Sequence, residues 1–221
     1  MNFKALFAEF IGTFALVFVT VGAIVSDHLT NGAVGLTGIA LASGLTIAAM
    51  ASATLAISGG HLNPAVSFGM FIVGRMKVKD FVGYSVVQCL GAVAASSLLM
   101  SAISPLDLDA VNYGITAVGE SATPYMALIT EIVLTFILMV VIFGTVVDKR
   151  SVNMSALFVG IAVTMNILMG GPISGAAMNP ARWLGPALVS GDYLNAWIYW
   201  VGPIAGGALG VVVYTTFLQE E

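Results

Sequence analysis

The sequence predicts an all-α membrane protein, with six transmembrane helices and two half-helices forming one domain over residues 1–221 as an inverted 3+3 repeat. Three observations predict it: the composition, the length of the apolar runs, and motifs that recur in order in both halves. Of 221 residues, 59% are hydrophobic and 8% charged, against about 25% charged in a soluble domain. A mean hydropathy of +1.02 does not suit a small soluble fold, most of whose residues still touch water. Lipid must be the solvent for much of the surface. The net charge of −4 gives no basis for binding nucleic acid. One cysteine, Cys89, allows no internal disulfide and reads as a small buried hydrophobe. With two histidines in the chain, neither a metal site nor a cofactor is expected.

The elements follow from runs of about 20 apolar residues, the length that crosses about 30 Å of hydrocarbon. They fall at about 4–25, 33–57, 80–102, 123–147, 152–170 and 193–218. The first contains Glu9 and has no cleavage site before Asp27, so it is expected to stay as a span rather than be removed as a signal peptide. Two further apolar pieces, about 63–74 and 179–190, begin at Asn-Pro and are too short to span. With the amino terminus inside, Lys4, Arg75, Lys77, Lys79, Lys149 and Arg150 all fall on the cytoplasmic side. The opposite loops carry Asp27, Asp107, Asp109, Glu120 and Asp192. That is the positive-inside pattern, and it puts both termini in the cytoplasm. Short termini without a targeting segment suggest a prokaryotic cell membrane, although apolar channels of internal membranes look similar.

The repeat is visible in three motifs. Glu9-x-x-x-Thr13-Phe14 returns as Glu131-x-x-x-Thr135-Phe136, 122 residues on. Val82-Gly83…Leu90-Gly91 returns as Val201-Gly202…Leu209-Gly210, and Ser58-Gly59-x-x-x-Asn63-Pro64-Ala65 returns as Ser174-Gly175-x-x-x-Asn179-Pro180-Ala181, at offsets of 119 and 116. The halves are about 1–102 and 123–221. Three spans per half is an odd number, so the halves enter the bilayer from opposite sides and a pathway is expected along their interface.

Each Asn-Pro-Ala turn is a good helix start, with Asn as N-cap and Pro in the first turn. A helix of about 11 residues covers only about 16 Å, half a bilayer. Its free N–H groups must therefore face a wet cavity or protein. Two such half-helices meeting at the midplane bring two positive dipole ends together, which repels cations. The amides of Asn63 and Asn179 are placed to donate to one oxygen of a passing molecule. The irregular segments 58–62 and 174–178 are expected to expose carbonyls, from Gly59, Gly60, His61, Gly175 and Ala177.

The stretches Ser58-Gly59-Gly60-His61-Leu62-Asn63-Pro64-Ala65-Val66 and Met178-Asn179-Pro180-Ala181-Arg182 resemble those of the aquaporin and aquaglyceroporin family. So do Ala8-Glu9-Phe10-x-Gly12-Thr13-Phe14, Gln88-Cys89-Leu90-Gly91-Ala92 and Tyr199-Trp200-Val201-Gly202-Pro203, so that the likeness covers essentially the whole chain. The resemblance implies a right-handed six-helix bundle, a homotetramer with one pore per subunit, and passive conduction of water and small neutral solutes. It also implies a selectivity filter of Ser43, Ile167, Ala176 and Arg182, with Ile47 and Val163 continuing an apolar wall one turn deeper. Serine and isoleucine stand where strict water channels often carry an aromatic residue and histidine, so passage of glycerol, urea or dissolved gases is expected. Trp183 stands where glycerol specialists usually carry Asp, and reads as an interfacial anchor or packing residue. Glu9 and Glu131 are expected to buttress the two turns, and the glycines at 202, 206 and 210 to form a helix-packing stripe. A reading from another class uses the same two acids as proton carriers in a coupled secondary transporter. A third, an enzyme, has no nucleophile–base pair behind it.

Overall fold

In hydrocarbon no solvent satisfies a bare backbone, so each apolar run closes its own N–H···O=C bonds and becomes a helix. The structure is a computed structural model, and it describes residues 2–151 and 154–220. The helices are α1 (Phe3–Leu29), α2 (Gly35–Ser58), α3 (Pro64–Ile72), α4 (Val78–Ala102), α5 (Pro105–Ala110), α6 (Pro124–Ile142), α7 (Ser155–Ser174), α8 (Pro180–Ser190) and α9 (Ala196–Val213). One wide π turn extends α6 to Val147 and another extends α9 to Leu218. Among the described residues, six helices are long and apolar enough to cross a membrane: α1, α2, α4, α6, α7 and α9. The half-helices α3 and α8 have 9 and 11 residues. Residues 152 and 153, which open the expected fifth span, lie outside the described residues.

That fifth helix differs from expectation at its far end. Gly170-Gly171-Pro172 reads as a stop, yet α7 continues to Ser174. Its last turn is held because the Ser174 hydroxyl donates to Glu131 (2.7 Å) and the Ser174 carbonyl accepts from the Tyr199 hydroxyl (2.9 Å). Gly175 then ends the helix in the left-handed region (φ 78°), as Gly59 ends α2 (φ 89°). The irregular segments therefore start at Gly59 and Gly175, one residue later than expected.

Packing repeats in the two halves. α1 lies on α4 and α2 as α6 lies on α9 and α7, and α2 crosses α7 at the centre. The half-helices pack chiefly across the repeat, α3 on α9 and α8 on α4. Small residues set these approaches. Gly44 and Gly160, 116 residues apart, face each other where α2 crosses α7, and a Cβ on either would run into the other's carbonyl oxygen. Gly91 rests on the Phe10 carbonyl, while Gly202, Gly206 and Gly210 rest on Glu131, Ile132 and Phe136 of α6. Leu45, Val82, Leu90, Val201 and Leu209 are half or more exposed, and on a spanning helix such positions face lipid.

Candidate functional site

The two half-helices begin alike. The Asn63 side-chain oxygen accepts from the Ala65 N–H (2.9 Å), and that of Asn179 from the N–H groups of Ala181 (3.0 Å) and Arg182 (3.3 Å). Their Nδ2 atoms reach across the repeat. Asn63 donates to the Met178 carbonyl (2.8 Å) and Asn179 to the Leu62 carbonyl (2.9 Å). Each amide has two N–H groups, so one ties the loops together and one is left to the cavity that both residues line. Pro64, Ala65, Pro180 and Ala181 are buried behind them and do not line it.

Accounting for the loop backbones explains their chemistry. Glu9 accepts from the Ser58 hydroxyl (2.6 Å), the N–H groups of His61 (2.9 Å) and Leu62 (2.6 Å), and Gln88 Nε2 (2.8 Å). Glu131 accepts from the Ser174 hydroxyl and from the N–H groups of Ala177 (2.9 Å) and Met178 (2.7 Å). Gly60 and Ala176 N–H donate to the Ser58 and Ser174 hydroxyls. All the loop donors are thus consumed. Among the described residues, the carbonyls of Gly59, Gly60, His61, Gly175, Ala176 and Ala177 accept no bond. Leu62 (φ 52°), Ala176 (φ 49°) and Met178 (φ 51°) hold left-handed backbones without being glycine. Each costs about 1–3 kcal/mol, and for Leu62 and Met178 the buried glutamates fix the adjacent N–H groups.

Between the loops and the long helices runs a cavity of about 70 Å³. Ser43, Ile167, Ala176 and Arg182 all line it, as do Ile47 and Val163, Gly59, Gly60, His61 and Ala177. Gly175 does not: it turns its Cα against Thr116, where a Cβ would collide. Its expected place on the wall is therefore corrected to Ala176, whose carbonyl is also free. Glu9 and Glu131 are fully buried and off the cavity wall.

Arg182 sits in the first turn of α8, 6% exposed, and its Nη1 donates to the Gly114 carbonyl (3.0 Å). Asn112, Tyr113 and Gly114, with φ of 44°, 54° and 67°, make a left-handed run that presents this carbonyl. His61 Nδ1 shares a hydrogen bond with the Ser67 hydroxyl (3.0 Å), which also accepts from Gln88 Nε2 (3.1 Å). Trp183 is a packing residue rather than an interfacial anchor, 1% exposed and stacked on Tyr199 at 5.8 Å.

Sequence reasoning missed part of the wall. Leu16 and Thr20 of α1 and Leu138 and Ile142 of α6 line the cavity. Leu16 matches Leu138 and Thr20 matches Ile142 at the 122-residue offset that separates Glu9 from Glu131, but the offset alone does not say which helix face meets the cavity. Asn166 was missed as well; its Nδ2 donates to the Leu134 carbonyl (2.9 Å) and ties α7 to α6. At the end of the cavity nearer the α6–α7 connection, Val146 and Ala156 form the mouth. Beside it Asp148 accepts from the Arg150 backbone (2.9 Å), Nε (3.0 Å) and Nη2 (2.6 Å), and from the Tyr214 hydroxyl (3.0 Å). The guanidinium holds the Asp148 carboxyl well below the usual carboxylate range. Arg150 also donates to the Leu218 carbonyl (2.8 Å), tying this connection to the end of α9.

Known proteins of the same kind were found by sequence and by shape. The chain is 43% identical to "Aquaporin TIP4-4" of Zea mays over 99% of this chain and 88% of that one. It is 42% identical to "Probable aquaporin TIP3-2" of Arabidopsis thaliana, over 96% of this chain and 83% of that one. Its fold superposes on the X-ray structure of the aquaglyceroporin from Plasmodium falciparum with a TM-score of 0.87 and 26% identity, covering 97% and 96% of the two chains. The sequence profile described as "Major intrinsic protein" matches residues 1–214. With that match over nearly its whole length, the chain belongs to the major intrinsic protein family, the family of the aquaporins.

Proposed function

We propose that this protein is a passive transmembrane channel for water and for small neutral solutes such as glycerol, urea or dissolved gases, and that it excludes protons and ions. The observation that carries the reading is the central cavity, where two half-helix N-termini meet and Asn63 and Asn179 each keep one N–H. A permeant oxygen there accepts from both amides, turns its own hydrogens toward the free loop carbonyls, and meets two positive dipole ends that oppose cations. No covalent step is involved, so the protein is not read as an enzyme. Ser43, Ile167, Ala176 and Arg182 act as the selectivity filter, Ile47 and Val163 as the apolar wall, and Glu9 and Glu131 as buttresses of the loops. The relatives named aquaporins and the aquaglyceroporin neighbour support the permeant class.

The protein works in this reading as a homotetramer with one pore per subunit, in a cell membrane, with both termini cytoplasmic. The basic residues of the α3–α4 and α6–α7 connections, Arg75, Lys77, Lys79, Lys149 and Arg150, support that orientation. It makes the Ser43–Arg182 end of the cavity outer and the Val146–Ala156 end inner. The proton-coupled alternative loses its basis, because both glutamates spend their oxygens on the loops and neither lines the cavity. Stopped-flow swelling of proteoliposomes tests the proposal. A channel gives fast water flux with a low activation energy and no response to a proton gradient, whereas gradient-driven solute accumulation would overturn it.

A further inference from the structure

The outer end of the cavity has a polar wall residue that the four-residue filter leaves out. Thr20 of α1 lines the cavity beside Ser43 of α2, and its hydroxyl donates to the Ser43 hydroxyl at 3.0 Å. Ser43 in turn donates to the Ile39 carbonyl at 2.8 Å. Each hydroxyl has one proton and two acceptor lone pairs. The chain Thr20→Ser43→Ile39 therefore consumes both protons and leaves only acceptor sites on this wall, two lone pairs on Thr20 and one on Ser43. Thr20 reaches the wall because Ser43 is small; a large side chain at that position would cover it. Among the described residues, the other polar side chain lining this level is Arg182, which spends one donor on the Gly114 carbonyl and keeps the rest. Ile167 completes the ring without polar atoms.

We infer that Thr20 is a fifth filter residue, and that the Thr20–Ser43 pair selects solutes that offer N–H or O–H donors on one side and an acceptor on the other, with small amides such as urea as the best fit. A urea carbonyl accepts from Arg182 while its N–H groups donate to Thr20 and Ser43. Each bond replaces one to water as the solute sheds its hydration. A hydroxyl wall free to donate as well as accept would make no such demand. This inference rests on the channel reading and deepens it.

The test is the ratio of urea to water permeability in proteoliposomes, which does not depend on how much protein inserts. Thr20→Val keeps the shape and removes the acceptor; the expected result is a fall in the ratio of roughly three- to tenfold, the worth of about one hydrogen bond. Thr20→Ser retains the hydroxyl and is expected to keep the wild-type ratio within about twofold. Ser43→Ala, which removes the partner of the Thr20 proton, is expected to lower the ratio as well, and Thr20→Val added to it to lower it by less than it does alone. A Thr20→Val protein that passes water with the wild-type urea ratio would overturn the inference while leaving the channel intact. A ratio that falls equally in Thr20→Val and Thr20→Ser would overturn it too, because the hydroxyl would then not be what matters. A wild type that passes neither solute would overturn the channel reading itself and this inference with it.

Discussion

The two ends of the cavity are built by the same backbone and carry opposite chemistry. With the proposed orientation, outer Thr20, Ser43 and Arg182 correspond through the repeat to inner Ile142, Val159 and Val66, at offsets of 122, 116 and 116 residues, and all six line the cavity. The half-helix starts, the buried glutamates and the left-handed loop residues are matched in both halves. What the halves share is therefore what the fold needs: two dipole ends at the midplane and two loops held open against hydrocarbon. At these three matched positions the difference is in the side chains, a hydroxyl pair and a guanidinium at one end and branched aliphatics at the other. In the proposed reading the outer end chooses the solute, while the inner end is an apolar throat in which the loop carbonyls and His61 meet the permeant.

The comparison is broken most severely at its shared part. Glu131→Leu strands the N–H groups of Ala177 and Met178 and the Ser174 hydroxyl, and Glu9→Leu strands their counterparts and Gln88. Each buried orphan costs about 1–3 kcal/mol, so both variants are expected to lose the folded protein, read as yield of monodisperse material after detergent extraction. Either variant accumulating at wild-type levels would contradict the buttress role. Next comes Arg182→Val, which gives the outer end the residue of the inner one. Removing a fixed charge from a poorly screened site is expected to raise proton leak by at least tenfold, given about 4 kcal/mol for charges about 4 Å apart at intermediate dielectric. A pH-sensitive dye inside the vesicles reads that leak.

The smallest effect is at the inner mouth. Asp148 is titrated more easily in the unfolded chain than in the folded one, so its contribution is fully present above the unfolded value of about 3.9 and is lost only as pH falls through its lower folded value. Water permeability is thus expected not to respond to Asp148 between pH 8 and pH 5. A change over that range in the wild type that disappears in Asp148→Asn would show that the Arg150–Tyr214 clamp fails earlier than the geometry implies.

Much of the fold was legible because a bilayer leaves few choices. Length and apolarity specify a span, Asn-Pro specifies a half-helix start, and an odd number of spans per half specifies the inversion. Ser43, Ile167, Ala176 and Arg182, scattered over 140 residues, come to one cavity because the repeat brings α2, α7 and the second loop together. Thr20 was not legible by the same means. A threonine in a spanning helix is ordinarily read as bonded to its own backbone four residues earlier, as Thr13 is, and only the packing of α1 on α2 turns Thr20 toward Ser43. The end of α7 was misread because Gly170, Gly171 and Pro172 carry a stop signal that contacts from Glu131 and Tyr199 override. The Asp148–Arg150–Tyr214 clamp joins residues 66 apart in sequence through contacts that no local pattern announces.

The central claim, that the outer end chooses and the inner end only conducts, is tested most directly by placing the same bulky residue at two equivalent positions, Ser43→Phe and Val159→Phe. Light-scattering flux of water, urea and glycerol is measured in parallel vesicles. The account predicts that Ser43→Phe lowers glycerol and urea relative to water by about tenfold, and further when combined with Ile167→His, whereas Val159→Phe lowers all three fluxes together. A glycerol-to-water ratio unchanged by Ser43→Phe with Ile167→His, or changed as much by Val159→Phe, would contradict it.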